Sequence, residues 1–232
     1  MWELSSNGKD QMLARISSAL GRREPAKPEP LLPYELNVPH PDREELVTRF
    51  ILEVENAGGS VARVNSRFDV QAYLQTVLAS ADPLVALSDG ATLRGLGIGQ
   101  WMKSSGFRVL EAESETVFEQ FKQQLFEADI GITSASYGLA DTGTIVLLSR
   151  SEQLRLISLL PPIHVCILDP QQILWSLSDL LALEEQMFLT SESQQQTMTC
   201  ITGPSRTADI EQTITMGVHG PHSLHVLLPM TR

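Results

Sequence analysis

The C-terminal part of the chain carries the side chains best suited to bind an anion and to transfer a proton. An apolar stretch leads into Ser205, Arg206 and Thr207, where we expect a short helix to begin. Free backbone N–H groups at a helix start, two hydroxyls and a guanidinium would together bind a carboxylate or a phosphate. His219 lies in a Gly/Pro loop that returns toward the same end and is the candidate catalytic proton donor or acceptor. The alternative is that Ser205 only caps the helix, Arg206 pairs with Asp209 and His219 anchors the loop.

A second candidate is the stretch SASYGLADTGTIVLLS (134–149), in which two apolar segments flank a loop of small and polar residues. Small residues let backbone N–H groups approach a ligand, and hydroxyls can orient it. Asp141 is the candidate catalytic carboxylate here, and the ligand-binding candidates are Ser134, Thr142, Gly143 and Thr144. The alternative is that Asp141 and Gly143 simply form a hairpin turn, and the residue types alone favour neither.

Two other patterns resemble known motifs without matching them. The string RGLGIGQ (94–100) has glycines spaced GxGxG rather than GxGxxG, so we expect a glycine-interrupted helix that packs closely on a sheet. His219, His222 and His225 form HxxHxxH, but Pro221 and a strand-like tail mean that the imidazoles need not converge, and we predict no metal site. The sequence contains no GxSxG, P-loop, HExxH or paired-carboxylate signature, which argues against the commonest hydrolase and kinase classes.

Charge and cysteine content limit the partners of the chain. Its 232 residues carry a formal net charge of -11, which argues against binding to nucleic acid or to an anionic membrane surface. Cys166 and Cys200 stand apart with no CxxC, so this chain alone should ligate no iron–sulfur cluster. The sequence shows neither an apolar run of membrane-spanning length nor a signal-peptide-like start, and we therefore expect a cytoplasmic protein.

Alternating strands and helices must position these groups. An amphipathic helix at 9–20 and a Pro-rich linker precede them, so we predict an N-terminal segment 1–41 and one α/β domain, 42–232. Expected strands lie at 60–64, 84–88, 107–112, 129–135, 142–149, 163–169, 198–202 and 225–229, and expected helices at 66–78, 92–105, 115–127, 171–183 and between Asp42 and Gly58. Asp42 is a candidate N-cap for the helix that ends at Gly58, with Glu45 placed to close a capping box. Near-continuously apolar strands indicate a mostly parallel sheet with helices on both faces. The short connection between 129–135 and 142–149 allows an antiparallel element. Ligands in such a sheet bind beyond the carboxyl ends of the strands.

Three segments resemble the LUD domain family, which is named for lactate utilization: GLADTGTIVLLS (138–149), SLLPPIHVCILD (158–169) and GPSRTADIEQTITMGVHGP (203–221). The resemblance covers residues 40–230. It implies a fold similar to that of sugar-phosphate isomerases and CoA transferases. It also implies a role in oxidising L-lactate to pyruvate together with other lactate-utilization proteins, one of which bears iron–sulfur cysteines. Asp141 stands where the family string more often has Glu, and the shorter side chain is a poor substitute for the nucleophilic glutamate of CoA transferases.

Three functional hypotheses follow from the residues and the resemblance together. The first is a component of a lactate-oxidising system that binds a small carboxylate or an anionic cofactor whose identity the sequence leaves open. The second is a non-catalytic assembly subunit whose residues 1–41 hold the iron–sulfur partner. The third is a transferase or isomerase acting on a CoA ester or a sugar phosphate, although the motif loops offer carboxylates and no lysine. Whether the chain is itself an enzyme, as part of an oxidoreductase complex, also stays open.

Overall fold

The structure is a computed structural model and describes residues 6–19, 41–78, 82–111, 118–149, 152–188, 197–208, 214–216 and 220–230. The chain divides into two units, residues 1–39 and 40–232. In the first unit, α1 (Ser6–Ala19) occupies the region of the predicted helix, and its side chains Met12, Leu13 and Ile16 are exposed. Within the described residues no helix is long and apolar enough to span a membrane.

Six parallel strands form the main sheet of the second unit, in the order β1-β12-β7-β4-β2-β3. The strands are β1 (Ser60–Val64), β2 (Leu84–Leu87), β3 (Arg108–Glu111), β4 (Ile130–Ser134), β7 (Ile163–Ile167) and β12 (Ser223–Pro229). The central strands are apolar along nearly their whole length because both faces of the sheet are covered; all four residues of β2, for example, are buried.

A second sheet contains the antiparallel element. Its order is β8-β5-β6-β9, and β6 runs antiparallel to both of its neighbours. The strands are β5 (Tyr137–Leu139), β6 (Thr144–Ser149), β8 (Ile173–Leu174) and β9 (Thr197–Ile201), and a separate hairpin pairs β10 (Arg206–Ala208) with β11 (Ile214–Met216). The partners of β6 are therefore β5 and β9, and the strand predicted at 129–135 belongs to the main sheet as β4.

Helices cover both faces of the main sheet, which confirms the predicted fold class. They are α2 (Arg43–Asn56), α3 (Arg67–Val77), α4 (Ala91–Gly95), α5 (Ile98–Ser104), α6 (Phe118–Phe126), α7 (Glu152–Ile157) and α8 (Leu177–Phe188). One face packs against α3, α4 and α5. The other packs against α6 and α7, and against α2 together with the inner face of the second sheet. Leu180 of α8 packs against Leu139 and Val146 of the second sheet. The predicted cap is present, since Asp42 accepts a hydrogen bond from the Glu45 backbone N–H.

Three helix predictions need correction. The predicted helix 92–105 is two helices, because Gly97 adopts a left-handed φ of 64° between α4 and α5. The predicted helix 171–183 begins only at Leu177, because Pro170–Gln172 form a 3-10 turn and β8 then pairs with β5. The helix expected after Ser205 is wrong, because residues 206–208 form β10 and pair with β11, a choice that β-branched Thr207, Ile214 and Thr215 favour. No helix start is therefore available at residues 206–208 to bind an anion.

Candidate functional site

A cavity of about 380 Å³ opens where β2, β4 and β7 reach their carboxyl ends, and we call it the carboxyl-edge cavity. Hydroxyl groups dominate its polar lining, together with two carboxylates and one amide: Ser88, Thr92, Thr133, Ser134, Ser136, Ser149, Asp89, Asp169 and Gln172. This is the edge at which ligands bind in open α/β sheets, because loops from neighbouring parallel strands converge there. The volume lies at the small end of the range for ligand pockets.

Ser134 enters the carboxyl-edge cavity beside a glycine. A Cβ atom added to Gly90 would overlap Ser134 Oγ and lie 3.0 Å from Ser134 Cβ. The backbone at Gly90 is extended, so the constraint at this position is space rather than conformation. The loop after β2 and the end of β4 therefore approach each other as closely as they do only because residue 90 lacks a side chain.

An ion pair between Asp89 and Arg94 lies at the rim, where a neighbouring cavity of about 360 Å³ shares Ser88 and Asp89 with the first. The glycine string predicted to pack on the sheet also lines this neighbour, through Gly97 and Gly99. Both charged side chains of the pair are more than 60% exposed, so the pair adds little stability and its guanidinium is available to another anion.

A buried polar cluster lies under the carboxyl-edge cavity. Thr133 Oγ1 and His164 Nε2 are 2.8 Å apart, whereas His164 Nδ1 has no hydrogen-bond partner among the described residues. Burial, and secondarily the charge of His225, lowers the pKa of His164 to about 3, so this imidazole is neutral at neutral pH. Burial likewise raises the pKa of the Cys166 thiol to about 12, so it is not a thiolate.

Asp141, Thr142, Gly143 and Thr144 lie at the opposite edge of the main sheet, in the turn that joins β5 to β6. Thr142 Oγ1 donates to Asp141 Oδ1 over 3.1 Å and lies 2.8 Å from Thr144 Oγ1, which is 2.7 Å from Thr202 Oγ1. A hydroxyl has a single proton, so Thr144 must donate to Thr142 and Thr202 to Thr144. All three protons are thereby used inside this chain of hydrogen bonds, which favours the turn interpretation over anion binding.

The turn between β5 and β6 requires a glycine at position 143. Its φ is 64°, and a Cβ atom there would overlap the backbone of α2 at Glu53 and Val54. The turn therefore packs directly against a helix that leads into the amino end of β1. Glycine is required at this position for its conformation and for the close approach.

Ser205 also lies at the amino edge. Its backbone N–H donates to Pro221 O over 2.8 Å, and Gly203 approaches Ala57 at the end of α2. The structure therefore brings Ser205 to the same edge as Asp141, Thr142, Gly143 and Thr144, and it separates all five from Ser134. The backbones of Arg206 and Thr207 belong to β10; their side chains, and His219 as a whole, lie outside what the structure describes.

Several lining residues of the carboxyl-edge cavity were missed from the sequence, chiefly Ser88, Thr92, Thr133 and Ser149. The sequence pattern that could have identified such residues is a pair of polar residues directly after a buried strand, as in Ser88-Asp89 after β2. No group of three or more His, Cys, Asp or Glu side chains is placed to hold a metal ion in the described part of the chain.

The comparisons with known proteins agree with this architecture. The LUD domain model matches residues 47–228, a span that includes both sheets, and the chain therefore belongs to the LUD domain family.

Particular relatives can be named. A lactate utilization protein C from Halalkalibacterium halodurans is 36% identical over 115 residues, which cover 48% of this chain and 49% of that protein, so the matched stretch spans about half of that relative. A lactate utilization protein C from Deinococcus radiodurans is 26% identical over 225 residues and covers 97% and 96% of the two chains. A crystal structure of a DUF162 family protein from Deinococcus radiodurans superposes with a TM-score of 0.57 at 21% identity, covering 82% of this chain and 99% of that one, and it shows the same fold.

Proposed function

We propose that this chain works in bacterial lactate utilization and binds a small carboxylate, such as L-lactate or pyruvate, in the carboxyl-edge cavity. Family membership and relatives named lactate utilization protein C support the role. The observation that carries the site is the convergence of hydroxyl groups where β2, β4 and β7 reach their carboxyl ends.

Hydroxyl groups suit a small hydroxy acid because they can donate to carboxylate oxygens and also pair with a ligand hydroxyl. Ser88 follows β2, Ser134 ends β4 and Ser149 ends β6, so a ligand among them would be held from several directions. The preformed cavity reduces the ordering that binding would otherwise require.

Arg94 lines the neighbouring cavity and can act as a counterion at the shared rim. Its guanidinium already contacts a carboxylate, that of Asp89, at the cavity rim. A ligand carboxylate can take the place of Asp89 because the existing pair is exposed and therefore weak, and a guanidinium binds carboxylates in a bidentate geometry.

The experiment is a thermal-shift titration of the purified chain with L-lactate and pyruvate, and with L-lactamide as the uncharged control. A ligand that binds only the folded state raises the melting temperature with the logarithm of its concentration. We expect a dose-dependent shift with the acids and none with L-lactamide. CoA esters and sugar phosphates belong in the same screen, because a response to them alone would replace this proposal with the transferase or isomerase hypothesis.

Matched variants place the site. Under the proposal, Ser134→Ala and Arg94→Ala weaken the response to L-lactate, whereas Arg206→Ala leaves it intact. The opposite pattern would move the anion site to the segment around Ser205 and Arg206. Thr207 and His219 would then be the remaining candidates in that segment. The neighbouring turn would complete the site through Asp141, Thr142 and Thr144.

A second candidate function, an assembly subunit for an iron–sulfur partner, is favoured by one observation. The exposed fractions of Met12, Leu13 and Ile16 on α1 are 60%, 49% and 47%, a large apolar exposure for a short helix. Removing residues 1–41 tests it. Loss of co-purification with the iron–sulfur protein, with L-lactate binding retained, would assign assembly to this segment and leave the cavity its own role.

A further inference from the structure

His164 lies directly beneath the carboxyl-edge cavity and is joined to its lining by one hydrogen bond. The imidazole is 1% exposed, and its Nε2 lies 2.8 Å from Oγ1 of Thr133, which lines the cavity. Its other nitrogen, Nδ1, has no hydrogen-bond partner within the described residues. The two ring nitrogens are therefore in very different surroundings.

That difference determines where the ring proton lies. A neutral imidazole has one N–H, on either Nδ1 or Nε2. A proton on Nδ1 would leave a buried donor without an acceptor, and orphaned buried N–H groups are rarer in proteins than under-satisfied acceptors. A proton on Nε2 is donated to Thr133 Oγ1. Burial lowers the pKa of His164 to about 3. The ring is therefore neutral at neutral pH and carries only one N–H proton, on one nitrogen or the other.

The polarity of Thr133 follows from that tautomer. Its oxygen already accepts from His164, so its own proton must be donated elsewhere. The thiol of Cys166, on the neighbouring strand β7, is within hydrogen-bond reach of Thr133, but its sulfur is a weak acceptor that a ligand oxygen can replace. We propose that His164 holds the Thr133 hydroxyl as a donor toward the carboxyl-edge cavity, which thereby selects a ligand with an acceptor oxygen, such as a carboxylate.

Ser136 supports this polarity independently. Its Oγ accepts from the Leu148 backbone N–H over 3.3 Å, so the Ser136 proton is also free to be donated. Thr133 and Ser136 both line the cavity, and each hydroxyl oxygen thus accepts a hydrogen bond from the protein itself. Each hydroxyl proton is left to be donated to a ligand. The inference rests on the proposed function only for the place of the ligand, because the tautomer is a property of the chain alone.

The first test is therefore made without a ligand, on the full chain labelled with 15N at histidine. Long-range 15N–1H correlation spectra distinguish a protonated Nε2 from a protonated Nδ1. We expect His164 to show a protonated Nε2 between about pH 5 and 8. A protonated Nδ1, or a charged ring, would overturn the inference whatever the chain binds.

The second test measures affinity for L-lactate and for isopropanolamine, in which an ammonium group replaces the carboxylate. Wild type should prefer L-lactate. Thr133→Val, which keeps the shape and removes the hydroxyl, should weaken L-lactate binding about tenfold or more, whereas Thr133→Ser should retain it. Preference for isopropanolamine, or an unchanged affinity in folded Thr133→Val, would contradict the inference.

The two tests separate this inference from the proposed function. If L-lactate does not bind to wild type but Nε2 is protonated, the proposed ligand is wrong and the donor polarity of Thr133 stands. If L-lactate binds and Nδ1 is protonated, the proposed function stands and His164 has another role. Thr133→Ser covers the case in which Thr133→Val fails to fold: unchanged affinity shows that the methyl group is dispensable, as the inference expects, whereas lost affinity in folded Thr133→Ser would contradict it.

Discussion

Gly90 lies so close to Ser134 that a single added methyl group would overlap the serine hydroxyl. The contact joins the loop after β2 to the end of β4, two neighbouring strands of the main sheet. It holds the Ser134 hydroxyl in the lining of the carboxyl-edge cavity. The backbone dihedral angles of Gly90 are ordinary, so glycine is required at this position because no other residue leaves enough space for Ser134.

Gly90→Ala should therefore displace the Ser134 hydroxyl and weaken the binding of L-lactate, with a cost in stability of about 1 kcal/mol from the forced side-chain rotation. Thermal-shift titration measures the first effect and urea unfolding the second. Gly95→Ala is the matched control, because a Cβ atom there meets nothing within 4 Å. It should leave binding unchanged and stabilise α4 slightly, since alanine is the better helix former.

The double variant Gly90→Ala/Ser134→Ala checks the cause. Removing Ser134 Oγ removes the overlapping atom, so most of the lost stability should return while ligand binding stays weak. Additive losses of stability in the double variant would show that the methyl group acts somewhere other than on Ser134.

Gly143→Ala should destabilise the chain more than Gly90→Ala does, by about 2–4 kcal/mol. The left-handed φ of 64° contributes one part and the overlap with the α2 backbone contributes the rest. Urea unfolding gives the value. Gly106→Ala separates the two parts, because its φ is also positive, at 83°, but its added Cβ atom would meet nothing within 4 Å, so about 1 kcal/mol is expected. Equal losses in the two variants would contradict the close packing of the turn against α2.

Much of the fold could be predicted because its signals are local. Strand β1 was predicted with its observed bounds, and the Asp42 cap and the apolar runs of β2 and β4 needed no tertiary information. The errors came where pairing decides the structure. Nothing in the sequence near Tyr137 shows that three residues there form a strand, because β5 exists only through its pairing with β6 and β8.

The sequence pointed to part of the lining of the candidate cavity. Ser134 was a predicted ligand-binding residue because it lies in a stretch of small and polar residues, whereas Ser88, which directly follows the buried strand β2, was missed. The structure places Ser134 and Asp141 at opposite edges of the main sheet, because β5 carries the intervening chain across to the amino edge. Proximity in sequence says little about proximity in space when a strand lies between the two residues.

Thr144→Val should destabilise the chain by about 1–2 kcal/mol without changing the affinity for L-lactate. The substitution keeps the β-branched shape but breaks the sequence of hydrogen bonds from Thr202 to Asp141. Urea unfolding and thermal-shift titration measure the two effects. Thr142→Val is the comparison at an exposed position, where water can replace the lost partner and the loss should be smaller. Weakened L-lactate binding in Thr144→Val would return this turn to the ligand site.

His164 should make the free energy of unfolding of the chain depend on pH in the acidic range. Its pKa is about 3 in the folded chain against an ordinary value of 6.5, so between these limits the unfolded chain binds a proton that the folded chain does not. The free energy of unfolding should therefore fall as the pH falls from about 6.5, by up to about 1.4 kcal/mol per pH unit, and His164 should contribute nothing above that range. Burial also lowers the pKa of His225, which therefore acts on stability in the same direction. The comparison is therefore with His164→Gln, which keeps an N–H donor for Thr133 and cannot titrate. Urea unfolding at several pH values from 4 to 7 should show a shallower slope in the variant, by close to one proton near pH 5. Equal slopes would mean that His164 is protonated in the folded chain, which its burial opposes.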